Sequence, residues 1–174
     1  MKKKIWIFAI IFFVILGMMG YKLFRKDITG NRTDAFETDT PVFKAWEFSL
    51  PDTEGRLVSL KDFAGKVVLL TFWTSRCPYC IREIPILKKI YEKYNQQDVE
   101  IVTVIIGEGR ESVNRIKERE KIPYLILLDK YHEVSRLYKV IGVPTDIIID
   151  RKSNIKYYGY FWPDNLEEII NGLL

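Results

Sequence analysis

Val67 to Trp73 reads VVLLTFW, and four positions after it ends comes Cys77-Pro78-Tyr79-Cys80. A run this apolar and this short, preceded by Gly65-Lys66, fits a strand covered on both faces, and such strands occupy the middle of a sheet flanked by helices. From Ile81 to Tyr94 the residues Ile81, Ile84, Leu87, Tyr91 and Tyr94 return at helical spacing. The cysteines therefore fall where a central strand gives way to a helix. That carboxyl edge is where open α/β sheets place ligands and reactive groups.

The remaining pattern completes an α/β architecture: a mixed central sheet with helices over it. Trp46–Leu50 and Arg56–Leu60 flank Pro51-Asp52-Thr53-Glu54-Gly55 and read as an N-terminal hairpin. Val99–Ile106 reads as a second buried strand, Glu111–Glu120 as a charged helix and Leu125–Leu128 as a short strand. A short helix over Glu133–Tyr138 follows. Thr145–Asp150 and Ile155–Tyr160 form another hairpin, and Asn165–Leu174 closes the chain as an amphipathic helix. Pro85 lies inside the helix after the cysteines, where it removes a backbone hydrogen bond and is expected to kink it.

Ahead of this domain, Ile5 to Tyr21 reads IWIFAIIFFVILGMMGY, with Leu23 and Phe24 extending it past Lys22. The length is close to the ~20 residues of a spanning helix. With Lys2–Lys4 before it, the positive-inside rule puts residues 1–4 in the cytoplasm, a transmembrane anchor at 5–24 and the rest outside the cell membrane. Gly17-Met18-Met19-Gly20 is a poor cleavage site, so an uncleaved anchor is read in preference to a signal peptide. Residues 25–41 are polar and aperiodic and read as a linker, which leaves 42–174 as one domain. The net charge of +4 belongs to the anchor. Six of the 27 basic residues lie in the first 26 positions, leaving 21 against 23 acidic ones. A nearly neutral domain is no electrostatic nucleic-acid binder.

Both cysteines of the chain sit in the one C-x-x-C, and the only histidine is His132. A zinc site lacks ligands, and haem attachment would need histidine where Ile81 stands. Thiol chemistry fits better. Cys77 lies at a helix N-terminus, where unpaired N–H groups and the dipole favour a thiolate. Pro78 suits the first helical position, and Cys80 faces the same side one turn on. Cys77 then attacks a substrate disulfide and Cys80 resolves the mixed disulfide. A static staple is the alternative, but so short a loop constrains the unfolded chain very little. Arg76 adjoins the nucleophile and reads as a solvated loop residue rather than its activator.

The stretch Leu60-Lys61-Asp62-Phe63-Ala64-Gly65-Lys66 leading through Val67–Trp73, with Cys77-Pro78-Tyr79-Cys80-Ile81-Arg82-Glu83-Ile84-Pro85 behind it, resembles the membrane-anchored thioredoxin-like proteins of the TlpA/ResA group. The resemblance runs from about Phe43 to the C-terminus. It implies a thioredoxin-like fold with an N-terminal hairpin and a central insertion between Glu108 and Ile122. It implies no cofactor beyond the redox-active disulfide, a protein thiol or disulfide as substrate, and a membrane protein as electron donor. It makes Gly142-Val143-Pro144-Thr145 the cis-proline loop facing the cysteines, with Val143 offering N–H and C=O to an extended substrate. Trp73, Pro78 and Tyr79 become supporting residues of the site. Glu108 matches an acid near the cysteines that serves in proton handling or substrate contact; read from the residues alone, it is equally a solvated loop acid. The group's commoner role is reduction of disulfides in exported proteins, including apocytochrome c before haem attachment. Pro78-Tyr79 departs from the group and is typical of glutaredoxins. Because the intervening dipeptide influences redox potential, disulfide formation stays open beside reduction. A thiol peroxidase is a further rival. Thr74 has the spacing of its Pro-x-x-x-Thr-x-x-Cys motif, but Leu70 stands at the proline. The non-enzymatic rival is an anchored binding domain with a structural disulfide.

Overall fold

The computed structural model describes residues 43–174. The cytoplasmic end, the anchor and the linker expected over 1–41 lie outside the described residues. Among the described residues no helix is long and apolar enough to cross a membrane.

The chain opens with a two-stranded antiparallel sheet, β1 (Ser49–Pro51) against β2 (Leu57–Ser59). These strands are shorter than the expected hairpin arms, for two local reasons. Residues ahead of β1 pair elsewhere: Ala45 N–H donates to Ser153 C=O, and Ile155 N–H to Phe43 C=O. After β2 a capping box ends the strand. Ser59 Oγ accepts from Lys61 N–H while Asp62 accepts from Ser59 N–H, and Leu60–Phe63 coils into a 3₁₀ turn.

Next come β3 (Val67–Trp73), α1 (Pro78–Tyr94), β4 (Val99–Ile106), α2 (Arg110–Glu120), β5 (Leu125–Asp129) and α3 (Glu133–Leu137). They are followed by β6 (Thr145–Ile149), β7 (Ile155–Gly159) and α4 (Leu166–Leu173). The five long strands form one sheet in the order β5-β4-β3-β6-β7. β3, β4 and β5 run parallel, while β6 and β7 are antiparallel to their neighbours. The last hairpin ends earlier than expected because Asp150 leaves the strand. Its carboxylate accepts from Lys152 and Asn154 N–H and closes the turn. α1 runs on through Pro85, which is exposed, so the missing donor lies on the solvent side.

β3 is central and buried along its whole length, and its alternation divides the core in two. Val67, Leu69 and Trp73 face α1 and α4, together with Ile148, Ile84, Leu87 and Ile170. Val68, Leu70 and Phe72 face the other side, with Ile147, Ile149, Phe48 and Tyr138. This parity matters below: Thr71 and Asp146 share the α1 side with Trp73 and Ile148.

The far edge of the sheet is tied down by one buried acid. Asp129 ends β5 and accepts the N–H groups of Glu133, Val134 and Ser135, the donors that open α3. Its carbonyl also accepts from Gly107 N–H, just ahead of Glu108. Asp129→Ala leaves these helix donors without an acceptor. It should cost about 2 kcal/mol, seen as a lower urea midpoint at unchanged slope.

Candidate active site

α1 begins at the end of the loop that leaves β3. Cys77 is its N-cap, with extended backbone, and Pro78 fills the first helical position. The open donors of the first turn need an acceptor, and sulfur supplies one: Cys80 N–H donates to Cys77 Sγ at 3.1 Å. The two cysteines are joined in a disulfide with their Cα atoms 5.3 Å apart. Cys77 is 9% exposed and Cys80 3%, so an incoming sulfur meets Cys77 first.

The loop before β6 faces this disulfide. The Val143–Pro144 peptide is cis, and the Val143 carbonyl oxygen lies 3.6 Å from Cys77 Sγ. Thr145 Oγ1 donates back to Gly142 C=O and closes the loop on itself. Tyr79, between the cysteines, is exposed. The Arg82 guanidinium sits 4.4 Å from its ring centre, and Phe161 meets it edge-on. Trp73 is buried at the end of β3, in the same apolar cluster as both cysteines. Among the described residues no group of histidine, cysteine and acidic side chains could hold a metal ion.

Glu108 is half-buried against the loop that carries Cys77. Its carboxylate accepts from Ser75 N–H at 2.7 Å, from Ser75 Oγ at 2.6 Å and from Ser112 Oγ at 2.9 Å. It is neither a freely solvated acid nor a hydrogen-bonding partner of the sulfurs. It fastens the loop two residues ahead of Cys77 to the first turn of α2. Arg76 is exposed, as expected of a solvated loop residue.

Two acids to which the sequence reading gave no role are buried, one on α1 and one on β6. Glu83 is one turn beyond Cys80 on the buried face of α1, among Ile84, Leu87 and Ile90, and is only 6% exposed. Asp146 sits in β6 opposite Thr71 of β3 and is 0% exposed. Thr71 Oγ1 donates to Asp146 Oδ1. No N–H or hydroxyl of the described residues reaches Asp146 Oδ2. The group that hydrogen-bonds to Asp146 besides Thr71 is the Glu83 carboxyl, which can donate only while protonated. Burial pushes Glu83 far above the usual carboxylate range, and the neighbouring Asp146 charge and hydrogen bond push it further. The Trp162 backbone N–H draws it partly back. Burial also raises Asp146, less so, because Thr71 and Glu83 both donate to it. The signal for this pair is in the sequence: an acid on the inward stripe of a helix, and another inside an otherwise apolar strand.

Both acids bind protons more tightly in the folded chain than in the unfolded one, so their contribution to stability is complete below about pH 4 and is lost as pH rises through their folded values. The oxidised protein should lose unfolding free energy steadily from about pH 5 to pH 8. In Glu83→Gln that fall should be shallower. Urea titrations across the range check this.

Residues 43–158 match the AhpC/TSA family. The chain is 32% identical to the thiol-disulfide oxidoreductase ResA of Geobacillus thermodenitrificans over 148 residues, covering 85% of this chain and 82% of that protein. It is 29% identical to the thiol-disulfide oxidoreductase ResA of Bacillus subtilis, covering 88% and 83%. Among solved structures, a thiol:disulfide interchange protein from a Bacteroides species superposes with a TM-score of 0.68 at 27% identity, over 76% of this chain and 89% of that one. A thioredoxin family protein from Chlorobium tepidum, at 20% identity, shares the fold with a TM-score of 0.70 over 78% and 98%.

Proposed function

Given that this chain belongs to the AhpC/TSA family and is a thiol–disulfide oxidoreductase homologous to the ResA proteins, we propose that it reduces disulfides of exported proteins from the outer face of the cell membrane. The observation that carries the chemistry is the Cys77–Cys80 disulfide at the start of α1, with Val143 and cis-Pro144 facing it. In the reduced enzyme the Cys77 thiolate attacks a substrate disulfide and releases one substrate sulfur. Cys80 then attacks Cys77, and the second substrate sulfur leaves. Two electrons pass to the substrate, and a membrane protein returns them to the cysteines. Val143 offers its backbone to the chain that carries the substrate cysteine, and Tyr79 offers its ring.

Reduction is favoured over disulfide formation by the surroundings of the sulfurs. A strong oxidant needs its reduced form stabilised, chiefly as a thiolate. Here Cys77 Sγ receives the Cys80 N–H, but it also faces the Val143 carbonyl oxygen and lies in an apolar cluster. A carbonyl oxygen and apolar surroundings disfavour a thiolate and favour the disulfide, so the reduced pair gives electrons away readily.

The outer location rests on Lys2–Lys4 followed by the apolar run from Ile5 to Phe24, which would tether the domain near its substrates. Resemblance to the TlpA/ResA group supports apocytochrome c before haem attachment as one such substrate. A peroxidase has less behind it, because Leu70 fills the buried core where that motif needs proline.

In Cys80→Ser the second step is removed. Mixed disulfides on Cys77 should accumulate in cells, be released by dithiothreitol and identify exported cysteine proteins. If none form while Cys77 remains reactive to alkylating agents, reduction of protein disulfides is ruled out.

A further inference from the structure

Aromatic side chains gather at the surface beside the disulfide. Tyr79, Tyr160 and Phe161 are each about half exposed, and Ile141, two residues ahead of Val143, is 88% exposed. Single exposed apolar residues are ordinary, but these belong to one connected set. Their contacts close a ring that begins and ends at Cys77. Cys77 Sγ faces the Val143 carbonyl oxygen at 3.6 Å. Gly142, next to Val143, lies against Tyr160, where an added Cβ would come within 3.1 Å of a ring carbon. Phe161 follows Tyr160 and meets Tyr79 edge-on, with ring centres 5.9 Å apart. Tyr79 stands between the two cysteines.

The ring is held in place from two sides. The Tyr157 hydroxyl donates to the Phe161 carbonyl, and Gly159 makes room for the Tyr157 side chain, since a Cβ there would collide with it. From α1, the Arg82 guanidinium sits 4.4 Å from the Tyr79 ring centre. Rings fixed in this way lose little rotamer freedom when a ligand settles on them. What covers them follows from the chemistry at the centre. A substrate sulfur has to bond to Cys77, so the chain that carries it lies across the residues around Cys77. In an extended segment, side chains two residues apart point the same way and stand about 7 Å apart. With the substrate cysteine turned to Cys77, the residues two places before and after it are turned to this surface as well.

We infer that Tyr79, Tyr160 and Phe161 are specificity-determining residues, which seat an aromatic or large aliphatic side chain two residues from the substrate cysteine. The inference rests on the Cys77/Cys80 cycle proposed above and names the class of segment that the cycle acts on. That class is an extended stretch with an apolar-flanked cysteine, which an unfolded chain exposes and a folded one buries. Arg76 and Arg82 are exposed cations at the start of α1, and recognition by them would select an acidic flank instead. Arg82 is already engaged by the Tyr79 ring, and the path of contacts from Val143 to Tyr79 runs through aromatic side chains.

The test mixes the reduced full-length protein, in detergent micelles, with disulfide-linked dimers of short alanine-based peptides that each hold one cysteine. Acid quenching and mass analysis follow the loss of the two protein thiols. The first peptide carries phenylalanine two residues before and two after its cysteine. The second carries the same phenylalanines directly beside the cysteine, on the opposite face of an extended segment. The third carries aspartate at the two-residue positions, and the fourth only alanine. The first should be reduced about tenfold faster than the fourth, the effect of one or two aromatic contacts. The second should react about as fast as the fourth. In Phe161→Ala most of the preference for the first peptide over the fourth should disappear. Tyr79→Ala, on a separate element, should do the same and takes its place if Phe161→Ala does not fold by circular dichroism. Equal rates for the first and second peptides overturn the inference, as does a third peptide faster than the first or a preference that survives in the folded variants. A wild-type protein that reduces none of the four overturns the Cys77/Cys80 cycle itself, a separate outcome.

Discussion

A helix that starts at Pro78 leaves its first backbone donors without carbonyl partners, and the sulfur of Cys77 accepts one of them. This N-cap fixes much of the site. It places the nucleophile at the positive end of seventeen residues of helix, turns Cys80 back toward it and directs Glu83 inward one turn later. β3 determines where this happens. Every residue of β3 is buried, so the strand cannot shift along β4 or β6 without exposing apolar side chains, and Cys77 follows its end by a short loop.

The carboxyl pair is a local conflict that the fold tolerates. Two acids buried side by side oppose stability at neutral pH, and aliphatic residues at 83 and 146 would pack the same interface without a polar cost. The apolar cluster on the α1 face supplies the surplus that holds them there. Thr71 supplies the hydrogen bond that keeps Asp146 oriented. Departures from local consistency of this kind concentrate at functional sites.

Much of this was legible in the sequence. Val67–Trp73 and Val99–Ile106 were readable to the residue, because unbroken apolar runs bounded by glycine or polar turns leave little choice. The C-x-x-C was legible as a reactive pair because its position between strand and helix carries a physical reason. The ends of the first hairpin were not, because they depend on Phe43 and Ala45 pairing with a turn more than a hundred residues away. The partnership of Glu83 with Asp146 was hidden for a related reason. Strand parity puts Asp146 on the α1 side, but only the rotation of α1 on the sheet brings Glu83 to it. The partners of Glu108 were not legible, because Ser75 and Ser112 look like ordinary loop and helix-start hydroxyls.

The Glu108 carboxylate also gives the domain an unusual mechanical layout. Its three hydrogen bonds act as a non-covalent rivet between the strap that presents the nucleophile and α2. Asp129 anchors the turn on the other side of that rivet through Gly107. The loop two residues ahead of one sulfur atom is thereby referenced to two elements on the far half of the sheet.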